Sequence, residues 1–341
     1  MSSLINMDRS RSLRVFTTGG AGFIGSHFID QIIKLGMQVY NFDILSYASN
    51  VDHVDSLKRE PLYDFYKGDI RSFDEVLRCM SKFKPDYVVN FAAESHVDRS
   101  ITSPSSFTDV NVTGTSNLLR ATMQVFAENN TMTQNRFIQI GTDEVYGTRF
   151  KENPAHETCL LLPSNVYSAS KAAADLLALA FHKTYGLPVI VTRSCNNYGP
   201  RQHSEKLIPK IFACMKAGEK FPIYGSGEQV RQWIHVTDNV NAIIKTMLTG
   251  SAGEIYNVGS PIYIENINII KKINELINYK NSCFRDGQEQ TWTHVEDRLG
   301  HDLSYSINYE KITRLVGSIN SISFESGLSN LADYYLNQCH T

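Results

Sequence analysis

The chain is poor in everything that would mark a metalloprotein, a disulfide-built fold or a membrane protein. Its six cysteines, Cys79, Cys159, Cys195, Cys214, Cys283 and Cys339, form no C-x-x-C pair, which argues against a disulfide framework or a thiolate metal site and leaves them as reduced, mostly packing thiols. The ten histidines have no H-E-x-x-H or comparable spacing, so no metal is expected. No apolar run approaches the roughly 18 residues of a membrane helix. Residues 1–12 are polar, with Arg9 and Arg11, and lack the apolar core of a secretion signal. A net charge of −2 gives no bulk attraction to nucleic acid. No repeat or low-complexity tract breaks the chain. A soluble cytoplasmic protein without nucleic-acid or membrane partners is expected.

What is present is a large apolar content and strong local patterning. At 341 residues and 42% hydrophobic, the chain can bury a large core, most simply as one α/β domain with a smaller lobe. Residues 13–25 read Leu-Arg-Val-Phe-Thr-Thr-Gly-Gly-Ala-Gly-Phe-Ile-Gly, an apolar strand running into Gly19, Gly22 and Gly25. Gly19 permits a tight turn, Gly22 admits a pyrophosphate against the backbone, and Gly25 lets the next helix pack on the strand with its N-terminal N–H groups facing the anion. This is a dinucleotide-binding pattern. A helix follows on the stripe of Phe23, Ile24, His27, Phe28, Gln31 and Ile32, ending near Gly36. A second strand over 37–42 delivers Asp43, where a carboxylate accepts from free ribose hydroxyls and repels a 2′-phosphate. NAD is therefore favoured over NADP, although Asp is also common in plain strand-exit turns.

Alternation of strand and helix continues: strands near 64–66, 87–91, 136–140 and 189–192, helices near 73–82, from Pro104 to about 127, and over 165–185. Such a pattern implies a Rossmann-type doubly wound parallel sheet. Ligands of these sheets lie outside the carboxyl ends of the strands, so Gly19, Asp43, Asp69, Ala92, Thr142 and Arg193 are expected to line one crevice. Beyond Gly199-Pro200 the pattern loosens, with a helix near 206–215, a strand over 221–224, a turn at 225–227 and an amphipathic helix over 265–281. A strand at 233–236, a helix at 238–248 and a strand at 255–258 are expected to return to the main sheet. The expected division is an NAD-binding domain, 12–198 with the return segment 233–260, and a smaller C-terminal α+β substrate lobe, 199–232 with 261–335.

The chemistry is concentrated in two places. Tyr167 and Lys171 fall one helical turn apart on one face, so the ammonium can stabilise a tyrosinate acting as base toward a sugar or alcohol hydroxyl. A second Y-x-x-x-K, Tyr63 to Lys67, falls on a strand and reads as coincidence. Thr142 at a strand end is followed by Asp143 and Glu144. Two carboxyl groups in one partly desolvated site can hold different pKa values, one protonated as acid and one ionised as base, which is equipment for elimination. A solvated strand-to-loop turn is the alternative for the pair.

These residues carry a resemblance over nearly the whole chain. Residues 17–25, 91–100 (Phe-Ala-Ala-Glu-Ser-His-Val-Asp-Arg-Ser), 141–147 (Gly-Thr-Asp-Glu-Val-Tyr-Gly), 196–200 and 205–209, with Tyr167, Lys171 and Arg231, resemble the extended short-chain dehydrogenases/reductases that act on nucleotide sugars, in particular their 4,6-dehydratases. Related 4-epimerases lack the acid pair and are the alternative within the fold; a cofactor-sensing or scaffold protein has no need of Tyr167, Lys171 and two acids together.

The resemblance implies that Tyr167, tuned by Lys171 and aided by Thr142, takes the O4 proton as C4 passes hydride to NAD. Glu144 then removes the C5 proton, Asp143 protonates the departing C6 hydroxyl, and the hydride returns to C6. It further implies cofactor contacts at Phe23, Ile24, Asp69, Ile70, Ala92 and Ala93. Substrate contacts are implied at Ser95, His96, Asn196, Lys206, Leu207, Pro222, Tyr224, Asn266, His301 and Tyr305, with Arg231 and Arg298 suited to the diphosphate. The implied substrate is dTDP-glucose or UDP-glucose. His203-Ser204 stands where the family usually has Phe-Pro, and Leu299 and Leu303 where it has Pro and Arg, all flanking the nucleotide lobe. A homodimer is expected, pairing helices near 106–127 and 165–185 into a four-helix bundle.

Overall fold

In a computed structural model of the chain, residues 12–280 and 291–337 are described. The expectations for the polar stretch before residue 12, for Cys283 and Cys339, and for the helix at residue 281 fall outside them. Seven parallel strands form the main sheet in the order β10-β6-β5-β4-β1-β2-β3. They are β1 (Arg14–Thr18), β2 (Gln38–Asp43), β3 (Tyr63–Lys67), β4 (Tyr87–Asn90), β5 (Arg136–Thr142), β6 (Val189–Ser194) and β10 (Ile255–Val258). Chain order reverses between β1 and β4, which opens a crevice at the carboxyl edge there.

Both faces of the sheet are covered, and its inner strands β4 and β6 are buried along their whole length. Val15, Val39 and Val89 point into one layer with the helices Phe23–Lys34 and Val236–Thr249. Phe16, Phe42 and Val88 point into the other with Phe73–Phe83, Thr115–Glu128 and Val166–Tyr185. That last helix starts at Asn165, whose side chain accepts from the Ser168 N–H while the Ser168 hydroxyl accepts from the Asn165 N–H, a reciprocal cap that fixes where Tyr167 and Lys171 begin.

The remaining strands, β7 (Asn196–Tyr198), β8 (Phe221–Tyr224), β9 (Val230–His235), β11 (Tyr263–Glu265) and β12 (Trp292–Val295), make a three-stranded sheet β11-β9-β7 and a β12-β8 pair. They pack with the helices Leu207–Ala217, Asn266–Lys280 and Phe324–Asn337 around Ile208, Phe212, Trp233, Ile270 and Leu331. No helix among the described residues is long and apolar enough to cross a membrane.

Three expectations are corrected. The strand expected at 233–236 forms as β9, but it pairs with β7 and β11 instead of the main sheet, because β7 leaves β6 at Cys195 and carries the pairing edge into the lobe. The long helix after Pro104 is interrupted: Pro104–Phe107 passes through a wide turn, Thr108–Gly114, before Thr115–Glu128. The extra residue of that turn is accommodated as Asn111 points inward, donating to the Glu94 carbonyl (3.0 Å) and to Ser170 Oγ (2.8 Å) and accepting from the Glu94 N–H (2.8 Å).

Arg193 does not line the crevice. It is 1% exposed, its Nε donating to Asp175 Oδ2 at 2.9 Å and its Nη1 to the Tyr146 hydroxyl at 2.8 Å. The strand end lies at the crevice, but the side chain turns toward the helix. Asp175→Ala strands this buried guanidinium without its counter-charge, a change expected to cost about 3–5 kcal/mol, read as a lowered urea midpoint.

Candidate active site

A cavity of about 580 Å3 occupies the carboxyl edge of the main sheet and is lined by Gly19, Gly22, Phe23, Ile24, Gly25, Asp43, Asp69, Ile70, Ala92 and Ala93, and further along by Thr142, Asp143, Glu144, Tyr167 and Lys171. Five of the six strand-end residues named for the crevice therefore meet there, and Arg193 is the exception. The floor is bare backbone. A Cβ added to Gly19, at φ +69°, would lie 2.5 Å from the Ala92 nitrogen, and one on Gly25 would lie 2.4 Å from the Gly19 carbonyl oxygen. A dinucleotide diphosphate fits a cradle that any side chain would fill. Gly19→Ala is expected to purify without bound NAD, read from the nucleotide released on denaturation.

Asp43 at the end of β2 accepts from the N–H groups of Ala21 (2.9 Å) and Leu45 (2.8 Å) and from Ser49 Oγ (3.3 Å). One carboxylate thus ties the glycine turn to the 44–49 loop that lines the cavity. Burial raises its pKa, and these three donors oppose the rise.

The catalytic candidates converge where β5 ends. Thr142 caps a single 3-10 turn, Asp143–Tyr146, accepting from the Glu144 N–H at 3.3 Å. Asp143 is 2% exposed; burial and then the neighbouring Glu144 charge push its pKa up to about 8, and its Oδ2 has no hydrogen-bond partner among the described residues. Burial also raises Glu144, but Arg298, Lys206 and Arg231 pull it back toward the ionised form. Burial thus raises both adjacent acids, with Arg231 opposing the rise at each and Arg298 and Lys206 opposing it at Glu144. Tyr167 is buried, which with the Glu144 charge disfavours its phenolate, while a hydrogen bond with Thr142 favours it. The Lys171 ammonium donates to the Ile140 carbonyl at 2.6 Å.

Among the substrate-side candidates, Ser95, His96, Asn196 and Lys206 line the same cavity. Lys206 Nζ donates to the Ser95 carbonyl at 2.7 Å, and Asn196 Oδ1 is buried without a hydrogen-bond partner among the described residues. Arg231, Arg298, His301, Tyr224 and Tyr305 are not in that lining but form a second group beside Glu144. The Arg231 guanidinium lies 4.3 Å from the Tyr305 ring centroid, and Tyr305 donates toward Glu144 Oε2 at 3.4 Å. Arg298 stands 3.6 Å from Asp98, which also accepts from the Tyr224 hydroxyl at 3.0 Å, and Tyr224 meets the His301 ring edge-on. Leu207 packs into the lobe core, Pro222 lies on β8, and the Asn266 N–H donates to the Gln229 carbonyl.

Sequence reasoning passed over Asp302, a buried carboxylate that accepts from Thr148 Oγ1 (2.8 Å), Ser164 Oγ (2.6 Å) and Tyr305 Oη (2.8 Å). Its only signal was its place beside His301. It also passed over Tyr47, which lines the cavity beneath the Arg99 guanidinium at 3.7 Å and touches His203 edge-on. Leu299 and Leu303 are exposed.

The profile of the family described as GDP-mannose 4,6 dehydratase matches residues 16–331. A dTDP-glucose 4,6-dehydratase of Xanthomonas campestris pv. campestris is 42% identical over 323 residues, covering 94% of this chain and 92% of that protein. Among solved structures, DesIV, a dTDP-glucose 4,6-dehydratase from Streptomyces venezuelae with NAD and TYD bound, superposes with a TM-score of 0.88 at 37% identity, over 96% of this chain and 98% of that one. A UDP-glucose 4-epimerase of Thermotoga maritima with UDP-glucose superposes at 0.84 with 28% identity, over 96% and 100%.

Proposed function

The chain belongs to the nucleotide-sugar 4,6-dehydratase family, and from that premise we propose that it converts dTDP-glucose to the 4-keto-6-deoxyglucose nucleotide plus water, with the roles that follow. It is an NAD-dependent enzyme acting on a nucleotide sugar. The base is assigned as thymine because the similar dehydratases are dTDP-glucose enzymes.

The observation that carries the reading is the pair of acids behind Thr142, Asp143 and Glu144, for which a simple 4-epimerase has no use. NAD, held along the glycine cradle, Asp43, Asp69 and Ile70, supplies reversible hydride acceptance when bound. The protein moves the protons. Tyr167 takes the proton from O4 of the sugar, supported by Thr142 and the Lys171 ammonium. Glu144 takes the C5 proton, which the adjacent ketone acidifies, and Asp143 gives its proton to the departing C6 hydroxyl. Arg231, Arg298 and Lys206 supply the positive field for the diphosphate.

Purified protein incubated with dTDP-glucose and, separately, with UDP-glucose, with no NAD added, tests this by mass spectrometry. Loss of one water from the thymidine sugar, faster than from the uridine sugar, is expected. An isomer of unchanged mass would move the assignment to a 4-epimerase.

We also propose a homodimer through the Val166–Tyr185 helix, on which Leu176 and Tyr185 are both 55% exposed. A monomeric mass in light scattering at micromolar concentration would refute it.

A further inference from the structure

Lys171 is buried, and burial works against its charge. A lysine that gives up its proton stabilises no phenolate, so the dyad functions only if something holds the ammonium. Tyr167, Lys171 and Asp175 stand one turn apart along a single face of the Val166–Tyr185 helix. The Asp175 carboxylate lies directly under the end of β5: a Cβ on Gly141 would sit 3.0 and 3.1 Å from its two oxygens, next to Ile140, whose carbonyl accepts the Lys171 hydrogen bond. Asp175 is fully buried. Its Oδ2 accepts from Arg193 Nε, and its Oδ1 has no hydrogen-bond partner among the described residues.

The surrounding charges are distributed unevenly. Asp175 is the group that favours the charged form of Lys171. Glu144 and Asp143 act on Tyr167 from the 3-10 turn, and Asp175 acts on it less strongly in the same direction. Arg193 and Tyr146 lie on the far side of Asp175, with Glu157 beyond, acting on Tyr146.

We propose that Asp175 is a positioning residue for the proton transfer: its carboxylate, clamped by Arg193, keeps Lys171 charged and seated at the end of β5, so that Tyr167 can ionise. Asp175 acts through Lys171. The same clamp reaches the acid pair, because Tyr146 closes the turn that carries Asp143 and Glu144 and its hydroxyl donates to Asn257 Oδ1 at 2.9 Å. One ion pair thus fixes both halves of the proton-handling machinery.

The test follows the Lys171 side chain itself. In protein labelled with 13C at lysine Cε, with the Lys171 signal assigned by its loss in Lys171→Arg, the chemical shift is titrated in the wild type and in Asp175→Asn. The Asp175→Asn midpoint is expected to fall by about one pH unit or more. Because that variant leaves Arg193 without a counter-charge, Asp175→Asn/Arg193→Gln, which removes both charges, is titrated as well, with a fall in the same direction expected. An unmoved midpoint in the double variant overturns the proposal. Its catalytic consequence rests on the function proposed above: the alkaline limb of turnover moves to lower pH in these variants, whereas an equal loss at every pH, with the lysine midpoint unmoved, makes Asp175 a purely structural residue. The titration needs no substrate, so failure of the wild type to release water would retire the dehydratase reading and leave the lysine result standing.

Discussion

Glu144→Gln is expected to lower product formation by about 10²–10⁴-fold, the span of a lost general base, while keeping NAD bound. The substitution preserves the shape of the side chain and removes its ability to take the C5 proton. Tyr167, Lys171 and Thr142 remain, so oxidation at C4 proceeds and the reaction stalls there. Stopped-flow absorbance of the reduced nicotinamide, followed beside water loss by mass spectrometry, checks this: reduced cofactor accumulates where the wild type shows only a transient. Full turnover in the variant would remove Glu144 from the mechanism. Tyr167→Phe is the contrast, since it blocks the first proton transfer and leaves the cofactor oxidised throughout.

Asp143→Asn is expected to lose activity and gain stability together. As the proton donor to the C6 hydroxyl, Asp143 must be protonated. Its pKa of about 8 places the alkaline limb of wild-type turnover near that pH, as a property of the coupled Asp143 and Glu144 pair. The sign of the stability effect follows from the same shift. The native carboxyl keeps its proton up to about pH 8, whereas the unfolded one releases it near pH ~4. Between those values the folded state binds more protons, so stability falls as pH rises through the window. The asparagine variant has no proton to hold and escapes the fall, with a gain on the order of a few kcal/mol at pH 8 and little at pH 4. In thermal unfolding at both pH values, a midpoint raised several degrees at pH 8 alone is the expected outcome. Equal midpoints at pH 8 would mean that Asp143 is ionised in the resting protein.

The main sheet and the cofactor half of the site were legible in the sequence because local rules govern them. Glycines at 19, 22 and 25 admit few backbones, and buried parallel strands announce themselves as apolar runs such as 137–140 and 189–192. The lobe was less legible. The strand near 233 was visible, but its partners were not, because periodicity says that a strand exists and leaves silent which edge it joins. Arg193 illustrates a related limit: position at a strand's carboxyl end follows from the pattern, whereas the face to which the side chain turns depended on Asp175, eighteen residues away on a helix. Asn111 was hidden inside a helical pattern that gave no sign of the wide turn presenting it. Asp302 was hidden because two of its three donors, Thr148 and Ser164, come from a segment that only the finished fold brings to it.

That last feature bears on how the molecule is made. Two of the hydroxyls that Asp302 gathers, those of Thr148 and Ser164, lie 154 and 138 residues earlier in the chain, on either side of the segment that leads from the catalytic turn into the Tyr167 helix. Loops of that span close late, after the local strand and helix pairings have formed. During synthesis the cofactor cradle therefore takes shape well before Glu144 acquires its neighbours, and the nascent chain passes through a stage that has the means to hold a nucleotide and no means to dehydrate a sugar.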